Sequence, residues 1–137
     1  MMKNIYEKDI LIIEDAKPLS LLLGEYLKKL GYQKIHSCEN GTLGIQKFQE
    51  LVKSNNMPVV FLDYYLPDIT ALRVLKQIFE IHPSTEVIVE TVANESESGI
   101  KRLFELGAHS YFPKPYKLEK LKEIMNTLEA KANQLTS

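Results

Sequence analysis

At 137 residues, 45% of them hydrophobic and 26% charged, the chain suits one soluble domain over 1–137, with a core of its own at about 9–130. Seventeen basic against 18 acidic residues give a formal charge of -1, which removes any global electrostatic case for direct binding to nucleic acid or an anionic membrane. The single cysteine, Cys38, has no disulfide partner and no Cys/His cluster around it, and no apolar stretch approaches bilayer length, so a reducing, cytoplasmic setting is expected.

Apolar runs alternate with amphipathic segments from end to end. DILIIED reads as a first strand, and Leu19, Leu22, Leu23, Tyr26, Leu27 and Leu30 then recur at helical spacing until Gly31. KIHSCEN is a weaker second strand; Leu43, Phe48, Leu51 and Val52 mark a second helix, and NNMP breaks the chain before VVFLD. Leu72, Leu75, Ile78 and Phe79 form a third helix closed by His82-Pro83. EVIVET is a fourth strand, Ile100, Leu103 and Phe104 stripe a fourth helix ended by Gly107, and SYFPKPY is a short fifth strand. Leu118, Leu121, Met125 and Leu128 make the last helix, with KANQLTS expected to fray. Five β-α units predict an α/β fold: a five-stranded parallel sheet, right-handed crossovers and helices on both faces. Pro113 predicts that the fifth strand lies at an edge, because proline cannot donate to a central ladder.

Parallel strands point one way, so the residues that follow them gather along one edge, where ligands of open α/β sheets bind. Those residues are Glu14 and Asp15 after strand one, Asp63 after strand three, Thr91 at the end of strand four and Lys114 after strand five. Two carboxylates about 5 Å apart repel by roughly 3 kcal/mol at an effective dielectric near 20, so three of them call for a cation. Few hard oxygen ligands with room for water suit Mg²⁺, and a lysine adds a mobile positive charge for anionic oxygens.

Glu14-Asp15, Asp63 with Leu66-Pro67-Asp68, Thr91 and Lys114-Pro115, in this order, resemble the receiver domain of two-component response regulators over nearly the whole chain. The resemblance implies the flavodoxin-like strand order 2-1-3-4-5. It implies that Asp63 is the phosphoacceptor for a histidine kinase or histidine phosphotransfer protein. Glu14, Asp15, Asp63 and the backbone carbonyl of Tyr65 would hold Mg²⁺, and Lys114 would neutralise phosphoryl oxygens. Thr91 and Tyr111 would form a switch that alters the surface of helix 4, strand 5 and helix 5, read by an output partner or effector domain that the sequence does not name. A phosphorylation-dependent homodimer through that surface is also left open. Such a protein is a phosphoacceptor that assists its own phosphotransfer and dephosphorylation, not an enzyme in the usual sense.

Four residues depart from the family pattern. Ala71 stands where glycine is usual; a left-handed backbone there would cost a non-glycine residue about 1 to 2 kcal/mol, so a different loop shape is expected. Val92 is branched where a very small residue is usual, which would narrow the donor's approach. Glu90 interrupts a strand that should be buried, and it is expected to reach the sheet edge or find a cation. Tyr65 is expected to overhang the phosphoryl group as a lid, while Ala93 is too small to position a water, so slow hydrolysis follows. A nucleotide- or flavin-binding enzyme is disfavoured because EDAKPLS lacks a phosphate-cradling glycine loop, and a haloacid-dehalogenase-like phosphatase because Tyr65 replaces its second aspartate. The alternative that remains is a receiver-like interaction module that works without phosphorylation.

Overall fold

The computed structural model describes residues 5–92 and 97–136. A 3₁₀ turn over Ile5–Glu7 leads into β1 (Ile10–Ile13), α1 (Lys17–Lys29), β2 (Ile35–Cys38), α2 (Gly41–Lys53), β3 (Val59–Asp63), α3 (Ala71–Ile81), β4 (Val87–Thr91), α4 (Ser98–Glu105), β5 (Ser110–Pro113) and α5 (Leu118–Thr136). The strands form one parallel sheet in the order β2-β1-β3-β4-β5. This is the expected α/β doubly wound arrangement, and Pro113 lies in an edge strand as its missing N–H requires.

Alternation along each strand divides the core in two. Ile10, Ile12, Val59, Phe61, Ile88 and Phe112 face α1 and α5, meeting Leu23, Leu27, Leu121 and Met125. Leu11, Ile13, Val60, Leu62, Val87 and Val89 face the other layer, meeting Phe48, Leu75, Ile78 and Leu103. The three central strands are buried on both faces, so their sequences are apolar runs, broken only at their carboxyl ends by Asp63, Glu90 and Thr91. A Phe61→Ala cavity in such a layer would cost about 3 to 5 kcal/mol.

The helix ends follow local chemistry. Asn40 caps α2 by accepting from Leu43 N at 2.8 Å, and Thr70 caps α3 by accepting from Arg73 N at 3.2 Å. Gly31 (φ 109°) and Gly107 (φ 118°) end α1 and α4 in the left-handed region that glycine adopts without a Cβ clash. At Gly44, α2 approaches β1 so closely that a methyl group would run into Ile13.

Ala71 avoids the left-handed backbone that would be costly for it: it is the first residue of α3, is buried and has no positive φ. Thr70 supplies the cap, so the helix starts directly after the loop and glycine is not needed. The chain after Lys131 does not fray at once, because KANQLT contains no helix breaker and α5 runs to Thr136.

Candidate functional site

The strand ends bring together the residues that the sequence singled out. Glu14 follows β1, its N–H bonded to Cys38 O at 3.0 Å, and Asp63 is the last residue of β3. The register pairs Ile13 with Leu62, which sets Glu14 beside Asp63 on the next rung, and it pairs Asp63 with Glu90 and Glu90 with Phe112. Three carboxyls therefore stand in a row across β1, β3 and β4, all on the α1/α5 face. Asp15 lies at the exposed side of the row, and oxygens of Glu14, Asp15 and Asp63 come within 4.8 Å of one another.

Lys114 crosses this row from the β5 side. Its Nζ donates to Glu14 Oε1 at 2.8 Å and to Asp63 Oδ1 at 3.2 Å, and its backbone N–H donates to Thr91 O at 3.0 Å. Burial works to lower the lysine's pKa, but Glu14 and Asp63 outweigh it and hold the ammonium charged above its usual range. Burial, followed by the hydrogen bond with Asp63, pushes Glu14 up to about 7 against the opposing pull of Lys114. Glu14 Oε2 is buried with no hydrogen-bond partner among the described residues. Crowded hard oxygens, one of them orphaned and one exposed to solvent, form a donor set that fits a small divalent cation such as Mg²⁺.

The remaining expected residues occupy the rim. Thr91 is fully buried at the end of β4, and Val92 beyond it is 72% exposed. Tyr111 is half-buried and lines a cavity with Phe104, His109, Lys120 and Ile124 between α4 and α5. Tyr65 donates its N–H to Asp63 Oδ1 at 3.2 Å, while its ring is 58% exposed and lies edge-on to Tyr64 at 4.8 Å. Ala93 lies outside the described residues. The Lys114-Pro115 peptide is cis.

Glu90 corrects another expectation. It neither reaches the sheet edge nor makes an ion pair: it is fully buried, and both of its oxygens lack a hydrogen-bond partner among the described residues. Burial first, then the charge on Glu14, raise its pKa well above the ordinary carboxylate value, so it is held neutral. Lys114 acts on it through space but bonds to Glu14 and Asp63 instead.

Two contacts around the site were not foreseen. Asp68, noted in the sequence only within the Leu66-Pro67-Asp68 run, accepts from Gly41 N (2.9 Å) and Thr42 N (2.8 Å) and from Thr42 Oγ1 (2.7 Å) at the start of α2. Its slight burial works upward, but these hydrogen bonds hold its pKa well below the usual carboxylate range. Tyr64 sets its hydroxyl against Gly99 at the start of α4, where a methyl group would overlap it. The local signals were the acid after Leu66-Pro67 and the glycine in the first turn of α4, but their partners lie 27 and 35 positions away in the chain.

The model of the response regulator receiver domain family matches residues 10–126, which spans all five strands and the whole site. The chain is a receiver domain. This receiver is 25% identical over 119 residues to the chemotaxis protein CheY of Thermotoga maritima, covering 87% of this chain and 95% of that one. It is 29% identical over 125 residues to sporulation initiation phosphotransferase F of Bacillus subtilis, covering 90% and 96%. Among solved structures, the CheY-like receiver domain protein of Methanospirillum hungatei superposes with a TM-score of 0.80 over 93% of this chain and 98% of its own, at 20% identity, a likeness of fold. Receiver domains of this family are phosphoacceptors of two-component systems and generally bind Mg²⁺ at an acidic cluster. Among the described residues, no helix of this receiver is long and apolar enough to cross a membrane.

Proposed function

We propose that this receiver is a phosphorylation-dependent switch in which Asp63 takes a phosphoryl group from a histidine kinase or histidine phosphotransfer protein in the cytoplasm. A carboxylate oxygen of Asp63 forms a bond to phosphorus as the donor's N–P bond breaks, and the imidazole leaves with the electron pair. The observation that carries this reading is the half-buried lysine shared by Glu14 and Asp63, beside a third carboxylate within 4.8 Å. Carboxylates are weak nucleophiles, so positioning and charge stabilisation must supply the rate.

Glu14, Asp15, Asp63 and the carbonyl of Tyr65 would hold Mg²⁺, which when bound supplies positive charge for the equatorial phosphoryl oxygens. Lys114 stands ready to follow: its bond to Asp63 Oδ1 supports a role in which the ammonium reaches a phosphoryl oxygen on that carboxylate. Thr91 and Tyr111 convert the phosphoryl group, which takes Asp63 from one negative charge to close to two, into an altered α4-β5-α5 surface for an output partner, an effector domain or a second copy. Val92, Ala93 and Tyr65 would tune donor access and phosphate lifetime.

Incubation with acetyl phosphate and Mg²⁺, followed by intact-mass measurement, tests the reading. Wild type should gain one acid-stable, hydroxylamine-labile phosphoryl group, and Asp63→Ala none. The exposed branched side chain of Val92 beside Thr91 favours one competitor, an interaction module that works without phosphate. Absence of label in wild type would select that competitor.

A further inference from the structure

The phosphoacceptor reading gives no role to Glu90, although it occupies the rung between Asp63 and Phe112. Alternation turns these side chains toward α1 and α5, where the Phe112 ring is stacked on Tyr116 with centroids 4.8 Å apart and planes 7° from parallel. That stack brings the Tyr116 hydroxyl in beneath the row of acids. Tyr116 Oη and both Glu90 oxygens are buried; none makes a hydrogen bond of full geometry among the described residues, yet Glu90 and Tyr116 lie close enough for each to shift the other's pKa as a hydrogen-bond partner does. Burial, then the neighbouring Glu90, push the phenol's pKa up, so the two groups lie within each other's electrostatic reach.

A buried acid facing a buried phenol in an otherwise apolar layer is a hydrogen bond waiting to be made. Its place in the chain matters. Glu90 immediately precedes Thr91, Tyr116 follows Lys114 by two residues, and Lys114 N already donates to Thr91 O at 3.0 Å. The pair therefore spans the two chain segments that present the switch hydroxyl and the lysine.

We propose that Glu90 and Tyr116 are positioning residues: the phenol O–H donates to the Glu90 carboxyl, tying the Thr91 end of β4 to the Lys114 loop and fixing where the ammonium stands over Asp63. Neither touches the reacting atoms. The residue types fit the task, because valine at 90 or phenylalanine at 116 would fill the same space without the bond, whereas glutamine at 90 keeps an acceptor for the phenol. The inference rests on Asp63 being the phosphoacceptor.

The test measures the rate of Asp63 loading from acetyl phosphate in excess Mg²⁺ for wild type, Glu90→Val, Tyr116→Phe, their double variant and Glu90→Gln, with Mg²⁺ affinity by calorimetry and melting by circular dichroism. Each single variant should load about tenfold more slowly with Mg²⁺ affinity unchanged, and the double should be no slower than either. Glu90→Gln should keep most of the wild-type rate, a rescue that packing alone does not give. Should Glu90→Val not fold, Tyr116→Phe, which keeps the ring stack, carries the comparison against Glu90→Gln. Wild-type loading in both single variants, or effects that multiply in the double, would overturn this proposal alone. A wild-type chain that takes no label overturns the phosphoacceptor reading and this proposal with it.

Discussion

The two ends of the sheet treat buried acids in opposite ways. At the edge where the strands begin, Asp9 meets His36 Nε2 at 2.7 Å, and Glu86 lies at ion-pair distance from His109 Nδ1 (3.8 Å) and Lys131 Nζ (3.9 Å). Each acid there has a basic neighbour of its own, although half-buried Glu86 keeps Oε2 without a hydrogen bond among the described residues. At the edge where the strands end, Glu14 and Asp63 share Lys114, and Glu90 bonds to nothing among the described residues. The same sheet thus carries one edge where each acid has basic side chains beside it and one where two acids share a single lysine and a third has none. A fold of this kind hosts many functions, and it is this imbalance that marks the second edge as the place of chemistry.

The strongest way to break the contrast is to remove the shared cation. Lys114→Ala should slow loading of Asp63 by about 10²-fold, roughly 3 kcal/mol in barrier, whereas His36→Ala at the matched edge should leave the rate unchanged. An acetyl phosphate time course separates the two, and equal rates in all three proteins would dissolve the distinction between the edges. Stability should move in opposite directions. Replacing both members of the buried pair, Glu90→Val together with Tyr116→Phe, should raise stability by about 1 to 3 kcal/mol in urea titrations at pH 7, while Asp9→Ala should lower it by about 1 to 2 kcal/mol.

Proton linkage sharpens the same point. Glu14 ionises at an ordinary carboxylate value near 4.5 when unfolded and at about 7 in the metal-free fold, so the native state holds a proton that the unfolded chain has released. Stability from this group is complete below pH 4.5 and is lost as pH rises through 7. Because a cation must displace that proton, Mg²⁺ affinity should be about tenfold weaker at pH 6 than at pH 8, and calorimetry showing no change would place the proton elsewhere. The smallest effect is expected at Tyr65. With its ring largely in solvent, Tyr65→Ala should accelerate phosphate loss by only a few-fold and at most about tenfold, and identical decay curves would leave the ring as surface.

Strands, helix order and the converging acids were legible because each depends on local pattern: buried parallel strands are uninterrupted apolar runs, and turn residues fix where they end. Pro113 even marked its edge. At Ala71 the sequence showed only that a left-handed backbone would be costly; that Thr70 caps α3 and Ala71 is already inside it was not legible there. Glu90 did mislead. Its cost was visible in the sequence, but its neighbours Glu14, Lys114 and Tyr116 come from other strands and a distant loop, and only the strand register brings them together. The same holds for Asp68 with Gly41 and Thr42 and for Tyr64 with Gly99, where packing of whole helices decides which side chains meet.

The clasp of Asp68 on α2 has a mechanical consequence. Three hydrogen bonds fasten the segment just beyond Asp63 to the first turn of a helix that is itself wedged against β1 at Gly44. That flank behaves as an anvil: a force generated at Asp63 finds no give in the direction of α2. On the phosphoacceptor reading, displacement would travel the opposite way, toward Glu90 in β4 and Tyr116 beyond β5. Directionality in this molecule comes as much from what is clamped as from what is free to turn. Cutting the clasp with Asp68→Ala should therefore spread the response to phosphorylation into α2, visible as amide shifts there that the wild type does not show.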